Sequence, residues 1–188
     1  MKNVHQLSVS IPERYHVKTL LPILVFTGLI CLGAQIRIPT GQTPIVMTTV
    51  FIYLTGLLLD KNKALIATAL YVILGLIGLP VFSGGNGGFE HIYGPTGGYL
   101  IGFMAAAWLI GGISQKFRHP SSNLTALVTA SLTIHSLGIV WMKTHFPEIW
   151  DASRMIYGNY LVADSLKILF VLLITPWLKY RLKQIKNW

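Results

Sequence analysis

Residues 159–178 read NYLVADSLKILFVLLITPWL, twenty positions with two charged side chains, Asp164 and Lys167. At about 1.5 Å of rise per residue, such a run forms a helix long enough to cross the roughly 30 Å hydrocarbon core of a bilayer. Five further apolar runs precede it, at about 20–36, 44–59, 64–81, 97–113 and 124–142, divided by polar connections. Six spans consume about 120 residues, and the remainder of a 188-residue chain is too short for a separate soluble domain. The chain therefore reads as an all-α integral membrane protein, a compact bundle of six transmembrane helices in one domain over residues 1–188. The first run is preceded by Lys18 and resembles a signal peptide, but Leu32 is large for the −3 position of a cleavage site at Ala34, so it reads as a span.

Composition agrees. The chain is 53% hydrophobic and 11% charged, where a soluble domain has about 25% charged residues and a disordered one is poor in apolar residues. A formal net charge of +9 would suggest a nucleic-acid partner in a soluble protein. Here the cations sit singly or in small groups between apolar runs, so nucleic acid is excluded and membrane lipid is the expected surrounding. Eleven of the fifteen Lys and Arg residues fall in the amino terminus (Lys2, Arg14, Lys18), the connections after spans two and four (Lys61, Lys63, Lys116, Arg118) and the tail (Lys179, Arg181, Lys183, Lys186). The alternate connections hold Arg37, Lys143 and Arg154. The positive-inside rule then makes both termini cytoplasmic in a multi-pass membrane protein.

The connections on the outer side are the chemically rich ones. Residues 78–99 read GLPVFSGGNGGFEHIYGPTGGY. Non-helical backbone at membrane depth must be buried in protein or line a watered cavity, and glycine lets it turn tightly against a small molecule. Gly84, Gly85, Gly87, Gly88, Gly94, Gly97 and Gly98 are expected to form a folded lid around Asn86 and Tyr93. In span six, Tyr157, Tyr160, Asp164 and Lys167 recur at helical spacing and share one face, a stripe that offers acceptor oxygens, an ammonium donor and aromatic walls. Ionisable residues within a membrane segment mark functional sites, with a self-satisfied structural ion pair as the bland alternative. His135, mid-span, is read either as satisfied by a neighbouring helix or as a ligand contact. Gly98, Gly102 and Ala106 are spaced to let a neighbouring helix approach closely.

Catalytic signatures are absent from the sequence: there is no P-loop, no HExxH and no Gly-x-Ser-x-Gly, and six scattered carboxylates have no metal-ligand spacing. The chain does not read as an enzyme, no metal or cofactor is expected, and ATP-driven transport would need another subunit to hydrolyse the nucleotide.

With six spans, Gly-Leu-Pro-Val-Phe at 78–82, Gly-Gly-Asn-Gly-Gly at 84–88, Gly-Pro-Thr-Gly-Gly-Tyr at 94–99 and Asp164-x-x-Lys167, the chain resembles BioY, the biotin-binding S component of energy-coupling factor (ECF) vitamin transporters. The resemblance runs from about residue 21 to about residue 178. It implies a membrane subunit that captures biotin from outside under closing loops, and an ECF module, the transmembrane coupling protein EcfT with two ABC-type ATPases, that powers release inward. It also implies a biotin pocket of Gln35, Thr43, Asn86, Tyr93, Asp164 and Lys167, to which the stripe of span six adds Tyr157 and Tyr160 as wall. Docking to the module through small residues of the first span is implied too. The family's Ala-x-x-x-Ala is replaced here by Thr27-x-x-x-Cys31 or Gly28-x-x-Cys31. An S component for another vitamin and a small lipid-modifying membrane enzyme are the alternative readings.

Overall fold

The computed structural model describes residues 13–39, 45–117, 119–154 and 157–184. In chain order the elements are α1 (Glu13–Gln35), β1 (Arg37–Ile38), β2 (Ile45–Val46), α2 (Thr48–Leu58), α3 (Lys61–Leu76), α4 (Phe89–Tyr93), α5 (Gly97–Lys116), α6 (Pro120–His145), α7 (Pro147–Ser153) and α8 (Tyr157–Gln184). The six apolar runs of the sequence fall on six different helices, α1, α2, α3, α5, α6 and α8. Local chemistry sets the ends. Asp60 caps α3 by accepting the Lys63 amide at 3.0 Å, and its carboxylate also pairs with the Lys63 ammonium at 3.1 Å. Proline stands in the first turn of α6 and of α7, where its missing N–H costs nothing.

Among the described residues, α5, α6 and α8 are long and apolar enough to cross a membrane; α1 from Thr19 to Gln35 and α2 are shorter apolar helices. The second and third runs depart from continuous helix. Residues 45–46 are the second strand of a small antiparallel hairpin, with Arg37 opposite Val46 and Ile38 opposite Ile45, and helix begins only at Thr48. α3 ends at Leu76, and Gly78 turns the chain with φ +96°. At 11 residues α2 extends only about 17 Å, so the hairpin and the glycine loop complete the bundle at that end.

The core lies among α1, α2, α3, α5 and α6, with Ile30, Ile52, Tyr53, Ala67, Ala107 and Ile110 buried. α5 packs most extensively on α6, because small residues allow it. A Cβ on Gly98 would lie 2.3 Å from Trp141 Cβ, and one on Gly102 2.9 Å from Ile134 Cα. α8 is peripheral. Its inward stripe is Asp164, Ile168, Val171 and Thr175, while Leu161, Val162, Leu166, Phe170, Leu173 and Trp177 are exposed. With Leu20, Leu21 and Leu24 on α1 and Leu124, Val128 and Leu132 on α6, these form an outward apolar surface suited to lipid.

Candidate binding site

A cavity of about 620 Å³ opens where the β1–β2 hairpin, the glycine loop and the adjacent ends of α2, α5, α6 and α8 converge, a volume in the range of small-molecule sites. α8 contributes Tyr157, Tyr160, Asp164 and Lys167 to its wall, α6 contributes Ile134 and His135, and α5 contributes Tyr99, Leu100 and Phe103. Helical periodicity on α8 is therefore sufficient to bring its four polar residues to one cavity.

Asp164 is 4% exposed and is satisfied by other helices. The Tyr53 hydroxyl on α2 donates to its Oδ2 at 2.7 Å, and the Ser131 hydroxyl on α6 donates to the same oxygen. His135 Nε2 stands 3.6 Å from it, while His135 Nδ1 and the Tyr157 hydroxyl are 2.6 Å apart. These contacts all converge on Oδ2. Oδ1 has no protein partner among the described residues. Lys167 is equally well placed, its ammonium donating to the Val46 carbonyl at 2.9 Å and to Thr49 Oγ1 at 3.0 Å. The two side chains do not form a contact ion pair; each is held by α2, the hairpin or α6, so the self-satisfied pair is not what the fold builds. His135 is bonded to Tyr157 through Nδ1 and stands beside the carboxylate, and it also lines the cavity.

Aromatic rings form one side. Tyr157 lies between Tyr160, Trp150 and His135, with ring centroids 5.9, 5.7 and 5.6 Å away. Opposite them lies the loop. Phe82 is fully buried, edge-on to Tyr71 at 5.5 Å and stacked on His91 at 4.9 Å. The Phe82 amide donates to the Asn86 carbonyl at 2.9 Å, and the Asn86 side chain donates to the Ser83 carbonyl at 2.8 Å. Gly84, Gly85 and Gly88 turn through φ +78°, +74° and +98°, a region where a Cβ carries a steric cost. Partial burial of His91 pushes its pKa below the ordinary histidine value.

Of the expected site residues, Asn86, Tyr157, Tyr160, Asp164 and Lys167 meet at the cavity. Gln35 does not line it; its amide points to the carbonyls of Cys31, Pro80, Val81 and Phe82 at 3.3–3.4 Å and ties the end of α1 to the loop. Tyr93 is 63% exposed and packs on Phe89 instead. Thr43 lies outside the described residues, as do Lys2, Arg118 and Lys186 of the charge count. Of the lid glycines, Gly97 and Gly98 belong to the first turn of α5, and Gly94 offers its carbonyl to Trp141 Nε1 at 2.9 Å. On α1, Thr27 is turned inward, donating to the Ala67 carbonyl at 3.0 Å, so it offers nothing to a docking subunit. Gly28 is open, with no atom within 4 Å of where a Cβ would stand, and Cys31 packs partly against the core.

Sequence reasoning missed Tyr53, Ser131, Thr49, Tyr99, Arg37 and Ser83. Ser131 and His135 are four apart on one helix, a polar stripe in an apolar run that could have been noticed. Tyr53 had no such signal.

The family model for the BioY family matches residues 4–184. The chain belongs to the BioY family. It is 34% identical over 163 residues to the biotin transporter BioY of Thermotoga maritima, covering 87% of this chain and 96% of that one. It is 37% identical over 120 residues to a probable biotin transporter BioY of Pyrococcus horikoshii, covering 64% and 71%. Among solved structures it is similar to the S component for biotin from an ECF-type ABC transporter, with a TM-score of 0.81, 26% identity, and coverage of 91% of this chain and 95% of that one. The named activity of these BioY relatives is transport, not catalysis.

Proposed function

We propose that this chain is the biotin-binding S component of an ECF-type transporter. The observation that carries the reading is Asp164 at the wall of the cavity, its Oδ2 saturated by Tyr53 and Ser131 and its Oδ1 without a protein partner among the described residues. A carboxylate anchored through one oxygen presents the other as an acceptor for a ureido N–H of biotin, and the hydroxyl bonds hold it in place. Asn86, on the loop, offers its side-chain Oδ1 as an acceptor, and Tyr99, Tyr157 and Tyr160 supply apolar walls for the thiophane ring.

The chain crosses a prokaryotic cell membrane six times with both termini in the cytoplasm, as the distribution of Lys and Arg supports, so that the cavity end of the bundle faces outward. α2 and α3 are completed across the membrane by the hairpin and the glycine loop, which line a cavity as non-helical backbone in a bilayer must. Transport couples to an ECF module of EcfT and two ABC-type ATPases. The exposed face of α1 around Gly28 is the docking surface, with Thr27 excluded from it. Neither another vitamin nor lipid-modifying chemistry draws support from relatives named as biotin transporters.

Purification in detergent from biotin-fed cells, followed by mass analysis of the released ligand, tests the reading. Stoichiometric biotin is expected; no ligand, or a different vitamin, overturns it.

A further inference from the structure

Lys167 is the ammonium donor that the sequence places in the pocket, yet two of its three N–H donors are committed to Val46 and Thr49, where they fasten α8 to the start of α2. A second cation lines the same cavity. Arg37 stands on β1 opposite Val46, so Lys167 reaches the hairpin from α8 while Arg37 reaches from the hairpin to the loop. Its guanidinium lies against the backbone at Gly84, where a Cβ would sit 2.4 Å from Nη1. Among the described residues Arg37 forms no ion pair, Glu90 of the same wall included. The preceding loop residue, Ser83, also lines the cavity, and its buried hydroxyl lacks a hydrogen-bond partner among the described residues.

A planar guanidinium with open N–H groups is the side chain best matched to a carboxylate, which it holds through two parallel bonds where an ammonium acts as a point charge. We propose that Arg37, assisted by the Ser83 hydroxyl, reads the carboxylate of the ligand, an inference that rests on the biotin reading above. Asp164 then takes the hydrogen-bond donors of the ring system and Arg37 the anionic end. The site selects free acids over esters, alcohols and amide-linked conjugates. Because Arg37 joins the hairpin to the loop at Gly84, an anion bound there also ties the two together over the ligand and slows its escape.

The test compares biotin with biotinol, its neutral alcohol, on the detergent-purified full chain and on Arg37→Gln, by titration calorimetry and by dissociation of labelled ligand. Arg37 is exposed, so the melting temperature of the ligand-free variant is expected to match the parent. Arg37→Gln should bind biotin about tenfold more weakly, mainly through faster dissociation, with biotinol binding unchanged. Biotin affinity that is unaltered in Arg37→Gln, or an equal loss for biotin and biotinol, overturns the assignment of Arg37 and leaves the biotin reading standing. Failure of the parent protein to bind biotin removes the biotin reading itself.

Discussion

On one side of the cavity, Asp164 draws hydroxyls from α2 and α6 onto a single oxygen, so three helices are fixed by side-chain chemistry buried in the bundle. On the other side, the glycine loop holds itself by short-range bonds, Phe82 to Asn86 and Asn86 to Ser83, and by glycines at positive φ. The first region is over-determined by contacts distant in sequence. The second has few buried residues beyond Phe82, the character of segments that open at low cost in free energy. In the proposed function, recognition chemistry sits on helices joined by buried side chains, and access on the glycine-rich backbone.

Replacing Asp164 with Ala attacks the rigid side and carries the largest expected effect. It removes the proposed acceptor for the ligand and leaves the Tyr53 and Ser131 hydroxyls without their common partner. Equilibrium binding should show a loss of biotin affinity of about a hundredfold or more, equivalent to roughly 3 kcal/mol. Affinity close to that of the parent would show that Asp164 serves only to join the helices.

Gly84→Ala attacks the loop and carries an intermediate effect. A Cβ there meets a φ of +78° and the Arg37 guanidinium at 2.4 Å, and an L-residue in that conformation costs about 1–2 kcal/mol. The expected result is roughly tenfold faster biotin dissociation with a melting temperature little changed, because the loop adds little to the core. A large fall in melting temperature with unchanged dissociation would reverse the contrast between the two regions.

The smallest effect comes from His91. Burial holds its folded pKa below the ordinary value of 6.5, so the closed loop prefers the neutral ring. As pH falls below about 6.5, the open loop takes up a proton that the closed loop resists, and closure weakens; above that pH the contribution is complete. Biotin dissociation should be about twofold faster near pH 5.5 than near pH 7.5, and His91→Gln should flatten the difference. An unchanged profile in that variant would place the titrating group elsewhere.

Charge is scarce in this chain, and scarcity made Asp164 and Lys167 legible: two ionisable residues in a twenty-residue apolar run demand a reason. Their periodicity with Tyr157 and Tyr160 is a one-dimensional property of a helix, and it survived folding intact. Tyr53 was not legible, since a tyrosine in an apolar helix is ordinary until its neighbour is known. Gln35, at the end of α1, and Tyr93, at the end of α4, show the converse, polar residues outside the cavity lining, one pinning the loop to α1 and the other at the surface.

Hydropathy and glycine content dictated helical runs, an apolar exterior and a turning loop, because burial from water and backbone freedom act over a few neighbouring residues. Which side chains face one another was a matter of packing. The bond between Tyr53 and Asp164 joins positions 111 residues apart, and the approach of α5 to α6 at Gly98 and Gly102 sets where His135 and Ser131 come to lie. No local pattern encodes such distances, so the cavity, the saturated Oδ2 and the placement of Arg37 over Gly84 exist only once the helices have met.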